Sequence, residues 1–253
     1  MEKIIKYPRT RHLEGSKLQF GDEDLSQIKF ETIKNKKIIV EEKVDGANVG
    51  ISFVSDKLYL QSRGHFLVGG YNERHYNLLK AWANQNLNAL YNALGNRYIM
   101  FGEWLYAKHK IFYDALPDYF LEFDLFDKEN QVFLDTTSRK EITKNLPVFS
   151  VPVLAESSFS NLKSLLSLLT NSTYKTEKHL ENLIGQIERL GLNVQQILKE
   201  SDLSPLMEGL YIKVEENGVV KERMKYVRPS FTQPEESQTR WIDRPIITNL
   251  LIK

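Results

Sequence analysis

Alternation of apolar and polar residues marks out the strands of this chain. The β-branched run Ile38–Val40 leads into Glu41-Glu42-Lys43. Val49, Ile51 and Phe53 then alternate with small or polar residues, and after a turn at Ser55-Asp56 Leu58 and Leu60 alternate up to Arg63. A period of two over neighbouring segments predicts antiparallel strands with one buried face. Arg97–Trp104 and Tyr119–Asp127 read as further strands, with Val132–Leu134 returning after a turn at Asn130. Gly209–Val214 and Val219–Val227 flank Asn217-Gly218, a strong hairpin signal.

Helical periodicity appears in three places. Asn72 to Gly95 reads as one helix, with Leu78, Leu79, Trp82, Leu90, Ala93 and Leu94 roughly on one stripe and Gly95 as its stop. Ser138–Lys144 reads as a short helix. From about 156 to 204 the leucines and isoleucines take helical spacing, at 162, 165, 166 and 169 and again at 180, 183, 184, 187 and 190. That block reads as a helical insertion packed on a β-rich core. The predicted class is α+β with mainly antiparallel sheets.

Composition narrows the function classes. The 253 residues carry 34 Lys+Arg against 33 Asp+Glu, a net charge of +1, which argues against a bulk electrostatic nucleic-acid binder. Hydrophobic residues at 42% and charged residues at 26% exclude a disordered chain. The absence of cysteine excludes disulfides, thiolate zinc sites and a cysteine nucleophile. No pair of the five histidines has metal-site spacing. No apolar run approaches a membrane span, and the opening MEKIIKYPRT has no signal-peptide core, so the cytoplasm is the expected location. Basic residues gather at Lys3, Lys6, Arg9, Arg11 and Lys17, and at Lys221, Arg223, Lys225 and Arg228. These read either as phosphate-tracking stretches or as solvated loops.

The most informative segment is Glu41-Glu42-Lys43-Val44-Asp45-Gly46-Ala47-Asn48. It places a lysine at a strand end, then a short acidic residue and a glycine. A lysine amine is a nucleophile once burial or nearby cations lower its pKa from about 10.4. Alone, the tetrapeptide also describes a β-turn with a surface lysine. Downstream follow Ser62-Arg63-Gly64, Phe101-Gly102-Glu103-Trp104, Phe120-Leu121-Glu122-Phe123-Asp124, Glu208-Gly209-Leu210-Tyr211-Ile212-Lys213 and Arg223-Met224-Lys225-Tyr226-Val227-Arg228.

Taken together, this ordered series resembles that of the covalent nucleotidyltransferases, which comprise ATP-dependent DNA ligases, RNA ligases and mRNA capping enzymes. Within them the chain most resembles RNA ligase 2-type enzymes. Asn48 five residues after Lys43, the run Phe101–His109 with Asp114-Ala115-Leu116-Pro117, the opening Tyr7–Ser16 and the ending Trp241 through Arg244-Pro245-Ile246 carry that likeness. It runs nearly end to end and is weakest over 156–204.

The resemblance implies an ATP-grasp-like adenylyltransferase core of antiparallel sheets with flanking helices. With only about 25 residues after Arg228, the expected organisation is a single adenylyltransferase domain over 1–253, with no separate C-terminal OB domain. Lys43 is implied to attack the α-phosphate of ATP. Lys225 and Arg223 stand where the family has a Lys-x-Lys pair contacting that phosphate, with arginine replacing the first lysine; an ordinary basic strand face is the alternative. Glu208 is implied to engage Mg²⁺ or Mn²⁺, Glu103 the ribose, and Arg63 ribose or phosphate. Phe123 stands where the family stacks an aromatic on adenine, though alternating phenylalanines also suit a buried strand. Glu42 and Asn48 join the nucleotide-binding set, Asn48 also being readable as a turn residue. Lys213 reads as a phosphate-tail contact or a strand-end surface lysine.

The implied activity is ATP-dependent joining of RNA 5′-phosphate and 3′-hydroxyl ends, in RNA repair. DNA or mixed strands, any protein partner and oligomeric state stay open. A DNA ligase is the alternative, disfavoured because only about 25 residues follow Arg228. A nucleotide- or RNA-binding relative without sealing activity is the other, which intact Lys43, Glu208 and Lys225 disfavour.

Overall fold

The computed structural model describes residues 3–18, 21–22, 24–231 and 244–252; Trp241 of the family-like ending lies outside them. Two sheets face one another, and each is apolar on its outer side. The first has the order β1 (Arg11–His12), β11 (Val219–Val227), β10 (Gly209–Glu216), β2 (Ile38–Lys43), β9 (Val153–Ser157). The second runs β4 (Lys57–Ser62), β3 (Ala47–Val54), β5 (Tyr98–Trp104), β6 (Phe120–Asp127), β7 (Val132–Phe133), with β8 (Phe149–Ser150) beside β6. Pairing is antiparallel except for β1 on β11 and β8 on β6. The mixed α+β class with antiparallel sheets is as the alternation predicts.

Strand alternation explains the layering. On the first sheet Ile38, Val40, Leu210, Ile212, Met224 and Tyr226 turn outward into one core, joined by Leu165 of α4 (Leu162–Leu166). On the second, Val49, Ile51, Phe53, Met100 and Leu125 turn outward against Leu79, Leu90 and Leu94. The opposite faces carry Glu41, Lys43, Lys213, Arg223, Lys225, Asn48, Glu103 and Asp124 beside an aromatic cluster of Tyr7, Phe101, Phe123 and Tyr211, so the space between the sheets is part polar and part aromatic.

The helix expected over Asn72–Gly95 is broken. A 3-10 turn covers Tyr71–Tyr76, followed by α1 (Asn77–Gln85) and α2 (Leu87–Leu94). Asn86 makes the break: its φ of −101° and ψ of 16° leave the helical range, and its side-chain amide donates to Trp82 O at 2.9 Å. A side chain that bonds the preceding turn competes with the backbone ladder. Leu78, one residue round α1 from the buried Leu79, lies off the stripe and is 43% exposed. The expected short helix is α3 (Thr136–Thr143), started by Asp135, whose carboxylate accepts from Ser138 N at 2.8 Å.

The 156–204 block follows β9 and contains α4, α5 (His179–Arg189) and α6 (Val194–Lys199). It is built into the body: Leu183 and Ile187 pack with Phe112 and Ile247. Among the described residues no helix is long and apolar enough to cross a membrane.

Candidate functional site

A cavity of about 730 Å³ opens between the sheets. Lys43, the last residue of β2, pairs across the sheet with Gly209. That register brings Lys43 Nζ to 2.6 Å from Glu208 Oε2. Position 209 must be glycine, because a Cβ there would stand 1.9 Å from the Tyr226 carbonyl oxygen of β11. Gly46 has a similar cause: a Cβ would meet Leu105 Cδ2 and the Trp104 carbonyl at 2.7 Å. The Lys-x-Asp-Gly spacing thus folds the chain from one sheet into the other. Asp45 holds that crossing, accepting from Lys110 N at 2.7 Å and Ile111 N at 2.9 Å.

Of the residues singled out by sequence, Lys43, Lys225, Glu208, Glu42, Asn48, Arg63, Glu103 and Phe123 all border the cavity. Asn48 lies directly across from Glu103 in the β3–β5 pairing and so is a strand residue, not a turn. Glu103 Oε1 accepts from Gly46 N at 3.1 Å. Glu42 meets the cavity's edge, but its oxygens accept from Ser172 Oγ at 2.5 Å and Thr173 N at 3.0 Å. Phe123 sits in an aromatic group, edge-on to Tyr7 at 5.2 Å between centroids and tilted to Tyr211 at 6.4 Å.

Lys213 and Arg223 are not brought to the cavity. Lys213 is 1% exposed, mid-strand, with Nζ 2.8 Å from Glu41 and 3.0 Å from Asp124. The same Nζ donates to the Phe123 carbonyl at 2.5 Å. It is therefore not a surface lysine, and its ammonium is engaged by Glu41, Asp124 and the Phe123 carbonyl. Arg223 lies with its guanidinium carbon 3.8 Å over the Phe133 ring. Arg139 of α3 completes the group, 2.9 Å from Glu41 and 3.6 Å from Glu122. Glu41, Glu122 and Asp124 thus share Lys213 and Arg139 beneath the cavity. The basic stretch on β11 likewise runs inward: Lys225 and Arg228 are buried and only Lys221 is exposed.

Sequence reasoning missed several cavity residues. Asp22 accepts from Lys225 and lies 3.3 Å from both His12 Nε2 and Arg9 Nη2. No local pattern announces that contact. Tyr7 and Tyr211 hold each other by their hydroxyls at 2.5 Å, and Tyr7 also donates to Asp124. His109 lines the wall opposite.

The electrostatics centre on Lys43. Burial works to lower its pKa, but the Glu208 carboxylate outweighs burial and leaves it raised. Burial pulls Lys225 down, against the opposing pull of Asp22 and with help from Lys43. Burial lifts Glu103 to about 7, Lys43 notwithstanding. Among the described residues no three His, Asp or Glu side chains converge to cage a metal. Buried carboxylates beside an open cavity still suit a cation that takes its remaining ligands from substrate phosphates and water, as Mg²⁺ does.

The chain belongs to the RNA ligase family, whose sequence profile matches residues 36–227. Solved variants of the Naegleria gruberi RNA ligase share its fold. One without nucleotide superposes with a TM-score of 0.52 at 18% identity, covering 78% of this chain and 51% of that one. Two with ATP and Mn superpose with TM-scores of 0.52, at 17% identity over 87% and 60% of the two chains, and at 15% over 91% and 58%. This chain therefore spans between about half and three-fifths of those ligases. A comparison with curated protein sequences gave no match.

Proposed function

We propose that this chain is an ATP-dependent RNA ligase in which Lys43 carries the AMP. The observation that supports it most is the placement of one strand-end lysine against Glu208, with Lys225 and the Phe123 aromatic group on the same cavity. A cavity of about 730 Å³ suits a nucleoside triphosphate.

On this reading Phe123, with Tyr7 and Tyr211, receives the adenine; Glu103 receives the ribose; Arg63 meets ribose or phosphate; and Lys225 meets the α-phosphate. Lys43 gives up a proton and its Nζ attacks the α-phosphorus; the bond to the β-phosphate oxygen breaks and pyrophosphate leaves. An RNA 5′-phosphate oxygen then attacks the same phosphorus and the P–N bond breaks, freeing Lys43. A 3′-hydroxyl finally attacks the RNA 5′-phosphorus, AMP leaves and the phosphodiester forms. Glu208 would hold a divalent cation, Mg²⁺ or Mn²⁺, which when bound neutralises charge on the phosphoryl oxygens. The Naegleria ligase solved with ATP and Mn supports that cofactor pair. RNA repair in the cytoplasm, within one adenylyltransferase domain, belongs to the same reading.

The test is to mix the protein with Mg²⁺ and α-labelled ATP, denature it and look for label on the chain, with Lys43→Ala beside it. Label that depends on Lys43 supports the reading. No label from a folded protein whose mass excludes prior adenylylation removes it. A strand panel differing only in 2′-hydroxyls at the 3′ end separates RNA from DNA sealing.

A further inference from the structure

The nucleotide cavity does not end at Lys43. At Asp45 and His109 it shares a wall with a second cavity of about 370 Å³. This one is built largely from parts the first does not use. Lys108 and Lys110 line one side, Gln196 and Ile197 of α6 another, and Arg244 with Ile247 a third.

Its charge is one-sided. Lys108, Lys110 and Arg244 face Asp45 and Glu200. The Asp45 carboxylate already accepts two backbone N–H groups, and Glu200 lies 3.7 Å from Arg244. Lys175 and Lys17, outside the lining, add a smaller downward push on Lys108 and Lys110 respectively. Burial, joined by these cations and opposed by Asp45, pulls Lys108 down to about 8 and lowers Lys110 as well. The depression comes chiefly from burial, and an anion entering the pocket would favour the charged form of both lysines.

We propose that the second cavity seats a backbone phosphate of the polynucleotide strand that receives AMP, with Lys108, Lys110 and Arg244 as its counter-charges. This rests on the RNA ligase reading. The first cavity has its own cations for a triphosphate in Lys225, Arg9 and Arg63. The shared wall at Asp45, two residues from Lys43, is where a strand end must arrive to meet lysine-bound AMP. The volume admits about one nucleotide, at the low end of ligand pockets. Phosphate contacts of this kind position a strand without reading its sequence.

The test separates the two substrates. Adduct formation with ATP is measured first; then AMP transfer from the isolated adenylylated protein to a short 5′-phosphorylated oligoribonucleotide. Lys110→Glu should form adduct within about twofold of wild type, raise the strand KM by about tenfold or more, and reduce its salt slope by about one. Lys110→Arg should restore transfer. Lys108→Met, which keeps the side chain's length, is the second variant where charge reversal lowers the melt. Unchanged transfer in Lys110→Glu and Lys108→Met overturns the proposal. So does an equal loss of adduct formation, which would assign these cations to the ATP tail. If the wild-type protein forms no adduct, the ligase reading has failed separately. Fluorescence anisotropy with the same strand then decides: weaker binding by Lys110→Glu keeps the strand site, and equal binding overturns it.

Discussion

Lys43 Nζ lies 2.6 Å from the Oε2 of Glu208, a carboxylate only 1% exposed, while Lys43 itself keeps 20% of its side chain open to solvent. The pair is set by the register of β2 on β10, so Lys43 arrives with its counter-ion. In that state the amine is protonated. On the proposed reading, a bound nucleotide and cation would draw Glu208 away from Lys43 and so free its amine.

Stability should report that dependence. Lys43→Ala takes the ammonium away from Glu208, and burial then holds this carboxyl well above the ordinary range. A carboxyl raised in the folded state favours folding at low pH and loses that contribution as pH rises through its folded pKa. The melting deficit of Lys43→Ala should therefore be small near about pH 5 and grow toward about pH 8, reaching about 2 kcal/mol or roughly 5 °C. Paired melts across that range check it. A deficit that stays flat would mean that Lys43 does not compensate Glu208.

Asp22 occupies Lys225, His12 and Arg9 at the mouth of the cavity. An incoming phosphate competes with it for the same cations. Asp22→Asn should tighten ATP binding by about fivefold, the worth of about 1 kcal/mol. Calorimetric titration with ATP measures this. Weaker binding would instead make Asp22 the group that holds Lys225 in position.

Lys213 tests the buried charge group. Lys213→Met removes the cation shared by Glu41 and Asp124 and the donor to the Phe123 carbonyl. Breaking one side of such a buried group should cost about 3 kcal/mol, roughly 10 °C in the melt. A direct phosphate ligand would give the opposite pattern, a normal melt with weakened ATP binding.

These contacts also mark where the sequence is legible. The strands around Ile38–Lys43, Val49–Phe53 and Leu58–Leu60 are visible because alternation follows directly from one buried face. Lys43, Glu103, Phe123 and Glu208 are picked out by the ordered motifs that resemble the family's, and close strand approach accounts for the glycines at 46, 102 and 209 in those motifs. The surface reading of Lys213 fails because a polar face ordinarily means solvent, whereas here it turns toward a second sheet. The contact of Asp22 with Lys225 joins positions 203 residues apart, so no local pattern encodes it. The break at Asn86 rests on one side-chain bond within an otherwise helical stripe.

Phe123 remains the sharpest test of the nucleotide site. Its ring is half-buried, between Tyr7 and Tyr211 on one side and open cavity on the other. A residue that only packs would lose stability when truncated; one that stacks a base would lose affinity. Full burial of a phenylalanine is worth about 3–5 kcal/mol on truncation, and half of that is about 2. Base stacking on an aromatic is worth about 1–3 kcal/mol, or roughly tenfold in affinity at its middle. Phe123→Ala should therefore weaken ATP binding about tenfold, while Phe123→Tyr, which keeps the ring, should bind ATP nearly as wild type and melt close to it. Equilibrium binding and melting curves on the same two variants decide the matter. Intact ATP binding in Phe123→Ala, with a lowered melt, would make Phe123 a packing residue and move the adenine onto Tyr7 or Tyr211.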